Sequence, residues 1–188
     1  MLPSWNLAGV LPPVRPGEPG HSADRSPYLC SLADVVQRFS TSAERMTILQ
    51  GLLAFRAQLH QRGIVSGFQW LDGSFMEQVE LLESRPPEDI DAVTYFEIPT
   101  GETELSLVTN APDLFDHDGI KVTYHVDHYP VVLGKPMDSD GIIEISYWYS
   151  MWSHRRNGLW KGFVQVSLDP LEDIAAQALF PIVGGGTP

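Results

Sequence analysis

WLDGSFMEQVELLESRPPEDIDAVTYF, residues 70–96, decides how this chain is read. An apolar run, Phe68 to Leu71, ends in Asp72-Gly73-Ser74, and a short amphipathic segment, roughly 75–83, follows. Arg85-Pro86-Pro87 breaks that segment, because proline removes a backbone donor and clashes with the preceding turn. Two acids, Asp89 and Asp91, then stand one residue apart at the head of the apolar stretch Ile90 to Phe96. The pattern predicts strand, turn, helix, strand. Residues two apart in a strand share a face and lie roughly 6.5–7 Å apart, so Asp89 and Asp91 project together. Two such carboxylates repel each other unless a cation lies between them. Hard divalent cations such as Mg²⁺ take oxygen ligands of this kind together with substrate phosphates. Two such ions, roughly 3.5–4 Å apart, serve the attacking and leaving oxygens of a displacement at phosphorus. A Gly-Ser turn opening a helix supplies the complementary feature. Backbone N–H groups and the helix N-terminus converge there on an anion, glycine permits close approach, and the serine hydroxyl can donate.

Working outward, Ser31-Leu-Ala-Asp34 predicts a capping box for a helix over about 31–39. Thr41-Ser-Ala-Glu44 predicts a second over about 42–62, with Met46, Leu49, Leu52, Leu53, Phe55 and Leu59 as its apolar stripe and Gly63 as its stop. Beyond residue 96, strands are expected at 121–132 and 160–168 and helices at 141–152 and 171–180. Residues 100–118 read as a loop crowded by Asp113, Asp116, His117 and Asp118; a calcium-loop pattern is incomplete there, because the closing Glu is missing. The fold class expected is α+β, a small mixed or antiparallel sheet flanked by helices. Residues 1–29 carry six prolines and three glycines and read as an extended arm, which Trp5, Leu7, Val10 and Leu11 would pin to the body. Residues 30–183 would form one domain and 184–188 a frayed tail.

Composition narrows the classes. Hydrophobic content of 43% over 188 residues supports a real core. A net charge of −12 disfavours a broad electrostatic grip on nucleic acid or anionic membrane. The single cysteine, Cys30, allows no internal disulfide and no cysteine-based zinc site. The first twenty residues lack the basic start and apolar core of a signal peptide, and no run approaches the ~18 apolar residues of a membrane span. A cytoplasmic protein is expected.

Leu71-Asp72-Gly73-Ser74, separated by the fourteen residues 75–88 from Asp89-Ile90-Asp91, resembles the signature of the polymerase-beta-like nucleotidyltransferase superfamily. More narrowly, the chain resembles an uncharacterised family of small bacterial nucleotidyltransferase-like proteins. The matching segments are Gly9 to Pro13, Arg25 to Tyr28, the helix containing Arg45, Gly67 to Phe75, and Lys161-Gly162. The superfamily uses a third carboxylate from a later strand, and the resemblance assigns that part to Asp127, with Glu97 as a fallback. It implies Asp89, Asp91 and Asp127 as catalytic metal ligands for Mg²⁺ or Mn²⁺. It also implies Gly73 and Ser74 at the triphosphate. Apart from the resemblance, Arg85, in the loop before Asp89, and Lys161, as a point charge, are further phosphate-binding candidates. The activity implied is transfer of an NMP from an NTP to an acceptor that is a protein, a tRNA or a small molecule, with toxin–antitoxin or phage-defence systems as a setting.

Plainer readings compete. Asp89 and Asp91 would suit a solvated strand edge, Gly73-Ser74 an ordinary tight turn, and Arg85 and Lys161 solvated cations. Asp127 would suit a pair with His125 or His128, and those three would also suit a transition metal. Trp148, Tyr149, Trp152 and Trp160 read as core or interface before they read as a base-stacking platform. At the level of function, the rival is an inactive nucleotidyltransferase fold that serves as a binding or regulatory module for a protein partner or as a homo-oligomer.

Overall fold

The computed structural model describes residues 1–180. The strands are β1 (Tyr28–Leu29), β2 (Gly67–Asp72), β3 (Ile90–Phe96), β4 (Val126–Val132) and β5 (Val164–Ser167). The α-helices among the described residues are α1 (Leu32–Phe39), α2 (Ala43–Gln61), α3 (Val79–Glu83), α4 (Glu104–Asn110), α5 (His117–Tyr124), α6 (Ser139–Trp152) and α7 (Pro170–Gln177). The strands make one mixed sheet in the order β1-β5-β2-β3-β4. β2 runs antiparallel to both β5 and β3, while β1 with β5 and β3 with β4 are parallel.

Alternation along the strands creates two faces. Leu71, Ile90, Ala92, Phe96, Val126, Val164 and Val166 belong to the main core, with α1, α2, α5 and α7. Trp70, Val93, Tyr95 and Val131 turn the other way and meet Trp148 and Trp152 of α6 together with Phe163. Two of the tryptophans weighed as core or stacking platform are thus buried, whereas Trp160 is exposed. The first face also buries a polar chain. Arg56 donates to Gln69 Oε1 (2.7 Å), Gln69 Nε2 donates to Thr94 Oγ1 (2.9 Å), and His128 Nε2 pairs with the same hydroxyl (2.9 Å).

The helix starts follow local chemistry. Ser31 and Asp34 form the reciprocal capping box of α1, and Ser42 rather than Thr41 caps α2. The segment expected as a loop over 100–118 instead contains α4, a 3₁₀ turn at Pro112–Leu114 and the start of α5, which Asp116 caps by accepting from the Gly119 amide. The strand expected from Lys121 therefore begins five residues later. Residues 121–124 finish α5, His125 takes a left-handed conformation (φ 56°), and β4 starts at Val126. Packing decides this point: α5 lies so close to α2 that a Cβ at Gly51 would meet the Tyr124 carbonyl oxygen at 1.9 Å. The expected strand over 160–168 shrinks because the Lys161 and Gly162 amides bond to the Ser153 and Leu11 carbonyls (2.8 and 2.7 Å) instead of joining the ladder.

The proline-rich segment is laced onto the body. Trp5 Nε1 donates to the Met76 carbonyl (2.7 Å), the Gly9 carbonyl accepts from Gln78 (2.8 Å), and Val10 and Leu11 are fully buried. Leu7 points to solvent and pins nothing. The 184–188 tail lies outside the described residues.

Candidate functional site

Strand register builds the site. Asp72 on β2 pairs with Asp91 on β3, and Asp91 pairs with Asp127 on β4. Neighbouring strands lie about 4.8 Å apart, so three carboxylates form a row across the sheet on the α6 face. Asp89 precedes β3 by one residue and extends the row along the strand. The next row on that face, Trp70, Val93 and Tyr129, is apolar and aromatic. The acids thus stand on a hydrophobic floor at one end of the sheet.

The turn after β2 supplies the opposite wall. Gly73 adopts φ 85° and ψ −171°, a region open essentially to glycine alone, and a Cβ there would come within 2.9 Å of the Asp91 carboxylate. The helix expected over 75–83 is split into a 3₁₀ turn at Ser74–Met76 and α3. The dipole of a long helix therefore does not stand behind Gly73-Ser74. The amides of Met76 and Glu77 bond within the turn, whereas those of Ser74 and Phe75, at its start, lie outside its internal hydrogen bonds. Fully buried Arg45 of α2 clamps the turn from behind: its guanidinium donates to the carbonyls of Phe75 and Glu77 (both 2.6 Å) and to Glu80 (2.5 and 2.9 Å). Arginine suits this position because its planar fork serves two carbonyls and a carboxylate at once.

Two lysines stand among the acids. Lys161 is 5% exposed and reaches Asp72 Oδ2 (2.9 Å) and Glu77 Oε1 (3.1 Å), tying the end of β2 to the turn. Lys121 of α5 bridges Asp89 Oδ2 (2.8 Å) and Asp127 Oδ2 (2.7 Å). His117 Nε2 also meets Asp127, at 2.7 Å. Arg155 pairs with Glu77 (3.1 Å) and Glu83, and Arg85 pairs with Glu83 (2.7 Å).

The electrostatics follow from this layout. Burial first, then the charges of Asp72, Asp89 and Asp127, push Asp91 up to about 7. Burial pushes Asp72 up to about 6 against the pull of Lys161. Burial also acts to raise Asp127, but hydrogen bonds from Lys121, Tyr129 and His117 outweigh it and hold that carboxyl below its usual range. Asp72 Oδ1 is buried without a hydrogen-bond partner. An orphaned carboxylate oxygen and an acid raised by its like-charged neighbours are what a divalent cation would relieve. Among the described residues, no three His, Cys, Asp or Glu side chains converge into a closed ligand set. The two ammonium groups stand between the carboxylates instead.

A cleft of about 890 Å³ brings together all seven residues singled out in the sequence: Gly73, Ser74, Arg85, Asp89, Asp91, Asp127 and Lys161. Trp152 and Arg155 line it too, and so do Asp72, Glu77, Lys121 and Tyr129, whose part sequence reasoning missed. Asp72 stood inside the quoted motif, but only strand pairing puts it opposite Asp91. Lys121 was hidden by the expected strand, since helical spacing is what carries it back over Asp127. Glu97, the fallback acid, lies at the far end of β3 and bonds Ser66 (3.0 Å). The alternative metal set also dissolves: His128 is buried on the opposite face, and His125 is exposed at the α5–β4 turn.

No curated protein and no solved structure matches the chain. One family model, described as a family of unknown function (DUF6932), matches residues 3–167, from the N-terminal segment to the end of β5. The chain belongs to that family.

Proposed function

We propose that this protein is a metal-dependent nucleotidyltransferase with a polymerase-beta-like core, which moves an NMP from an NTP to an acceptor nucleophile. One observation carries the reading: Asp72, Asp91 and Asp127 align across three adjacent strands, with Asp89 beside them, directly against a strand–Gly–Ser turn. Asp89 and Asp91 would hold Mg²⁺ or Mn²⁺, with Asp127 at hand for a second ion or for the acceptor. A bound ion would neutralise the triphosphate and polarise the α-phosphate. The chain's own groups do the rest. Ser74 and the first amides of the turn are positioned to donate to phosphate oxygens. The acceptor oxygen or nitrogen attacks the α-phosphorus, the α–β bridging P–O bond breaks, and pyrophosphate leaves. Asp127, whose carboxyl is held below its usual range, would orient the acceptor by accepting its hydrogen bond, and the acceptor's proton passes to solvent water. Lys161, occupied by Asp72 and Glu77, holds the turn in position. Arg156, lining the cleft, remains for the phosphates, and Arg85 would join it by exchanging Glu83 for a phosphate.

A second reading has one observation in its favour. Lys121 and Lys161 already neutralise Asp89, Asp127 and Asp72, as fixed cations would in a fold that has become a binding module without catalysis. Incubation with each α-³²P-labelled NTP and Mg²⁺ or Mn²⁺, alone, with tRNA and with lysate, separates the two. Label on one acceptor class that vanishes in Asp91→Asn supports the enzyme. No label, together with no metal-dependent NTP binding, refutes it and leaves the module.

A further inference from the structure

Within the metal-dependent reading, on which this step rests, one side chain has no part yet. Lys121 sits on α5, off the sheet, and inserts its ammonium between two carboxylates that come from different segments. The distances are 2.8 Å to Asp89 and 2.7 Å to Asp127. These are ordinary ammonium–carboxylate lengths, whereas Mg²⁺ would hold its oxygens at about 2.0–2.1 Å. The gap between Asp89 and Asp127 therefore fits an ammonium, with an oxygen on either side, and a divalent ion in its place would draw those two oxygens closer together. A second feature points to unmet positive charge in the same row: Asp72 Oδ1, two strands from Asp127 across Asp91, is buried without a partner although Asp72 Oδ2 is paired with Lys161.

The backbone that carries Lys121 is fixed. Asp116 caps α5, Gly51 admits the Tyr124 carbonyl with no space to spare, and the Tyr124 ring packs on Phe55 at 5.7 Å. The side chain is free by comparison: 43% of it is exposed, and four methylenes separate its charge from the helix. An ion that enters between Asp89 and Asp127 has no need to move the helix, because a rotation of the lysine stem is enough to release the ammonium to solvent.

We propose that Lys121 is a built-in counter-cation, which occupies the divalent-metal position between Asp89 and Asp127 in the metal-free protein and yields it when the ion enters. The device keeps the acidic row folded without metal and sets the metal concentration at which the site is armed.

Two measurements on the full chain test this with Mn²⁺ alone as the probe. The first is lysine acetylation of the wild-type protein, read by mass spectrometry with and without saturating Mn²⁺. Lys121 should become several-fold more reactive with the ion, while exposed Lys135, outside the cleft, should not change. The second is Mn²⁺ affinity, read from the spin resonance of the free ion. Lys121→Met should bind about tenfold more tightly than wild type, as expected for removal of a competing charge from two carboxylates. Mn²⁺ binding with unchanged Lys121 reactivity, or equal or weaker binding by Lys121→Met, overturns the counter-cation while leaving the metal site intact. No Mn²⁺ binding by either protein removes the metal-dependent reading itself, and this inference with it. Should Lys121→Met fail to fold, the wild-type acetylation result decides alone.

Discussion

Arg45→Met should unfold the wall of the cleft before it touches the carboxylates. The guanidinium is fully buried and donates to two carbonyls, Phe75 and Glu77, and to Glu80. Methionine fills much of the volume and supplies no donor. Each buried carbonyl left without a partner costs about 1–3 kcal/mol. Glu80 is about a third exposed and can return to water, so its loss is discounted to well under the value of a buried pair. The two carbonyls together come to about 2–6 kcal/mol, which spans the range found when one partner of a buried charge network is removed. For a chain of 188 residues, that lowers the Tm by about 4–24 °C. Thermal unfolding followed by circular dichroism reads the shift. Arg45→Lys should recover only part of it, because one ammonium cannot serve two carbonyls and a carboxylate in the same geometry. A loss below about 1 kcal/mol, or full recovery by lysine, would refute the clamp and the reasoning from its hydrogen bonds.

Other outcomes are equally specific. Gly73→Ala should lose about 1–3 kcal/mol to backbone strain alone, and more because its Cβ would press on the Asp91 carboxylate; unchanged stability in urea titration would contradict the observed φ. The folded pKa of Asp91, about 7, lies above an unfolded value of about 3.9, so the folded state holds the extra proton between those pH values. Its contribution is present at low pH and is lost as pH rises through that window, by at most about 1.4 kcal/mol per unit. Buried His128, held down to about 3, acts in the opposite sense, since its contribution is lost as pH falls. The wild-type profile minus that of Asp91→Asn, measured by urea unfolding without divalent ions, isolates the aspartate; a flat difference between pH 4 and 7 would count against the raised pKa. Thr94→Val should cost about 1–3 kcal/mol for each polar group it strands, Gln69 Nε2 and His128 Nε2, and calorimetry would show it.

Much was legible without coordinates, because local rules govern it. Ser31 with Asp34, the stripe on α2, the break at Pro86-Pro87 and the apolar run after Ile90 each depend on neighbours within a few residues, and α1, α2 and β3 follow from them. Gly73, Ser74, Asp89 and Asp91 share one cleft because the connection from β2 to the antiparallel β3 must bring its two ends together, whereas Asp127 joins them through the pairing of β3 with β4 and Lys161 through its contacts with Asp72 and Glu77. Where tertiary contact overrides local preference, the sequence misled. Lys121 to Tyr124 has a strand's alternation, yet packing on Gly51 makes it helix. Trp160 to Phe163 is apolar enough for a strand, yet its amides are taken by Ser153 and Leu11.

The sequence by itself determined that an acidic chain with a real core carries a strand–Gly–Ser turn and two acids one residue apart. Those are matters of residue type and spacing. Only the tertiary structure decided that Asp72 and Asp127 flank Asp91, that Arg45 braces the turn, and that Lys121 and Lys161 stand between the carboxylates. The physical reason is register. Which residue of one strand faces which of the next is fixed by the summed packing of two hydrophobic faces and by helices distant in sequence, and no local pattern encodes that sum.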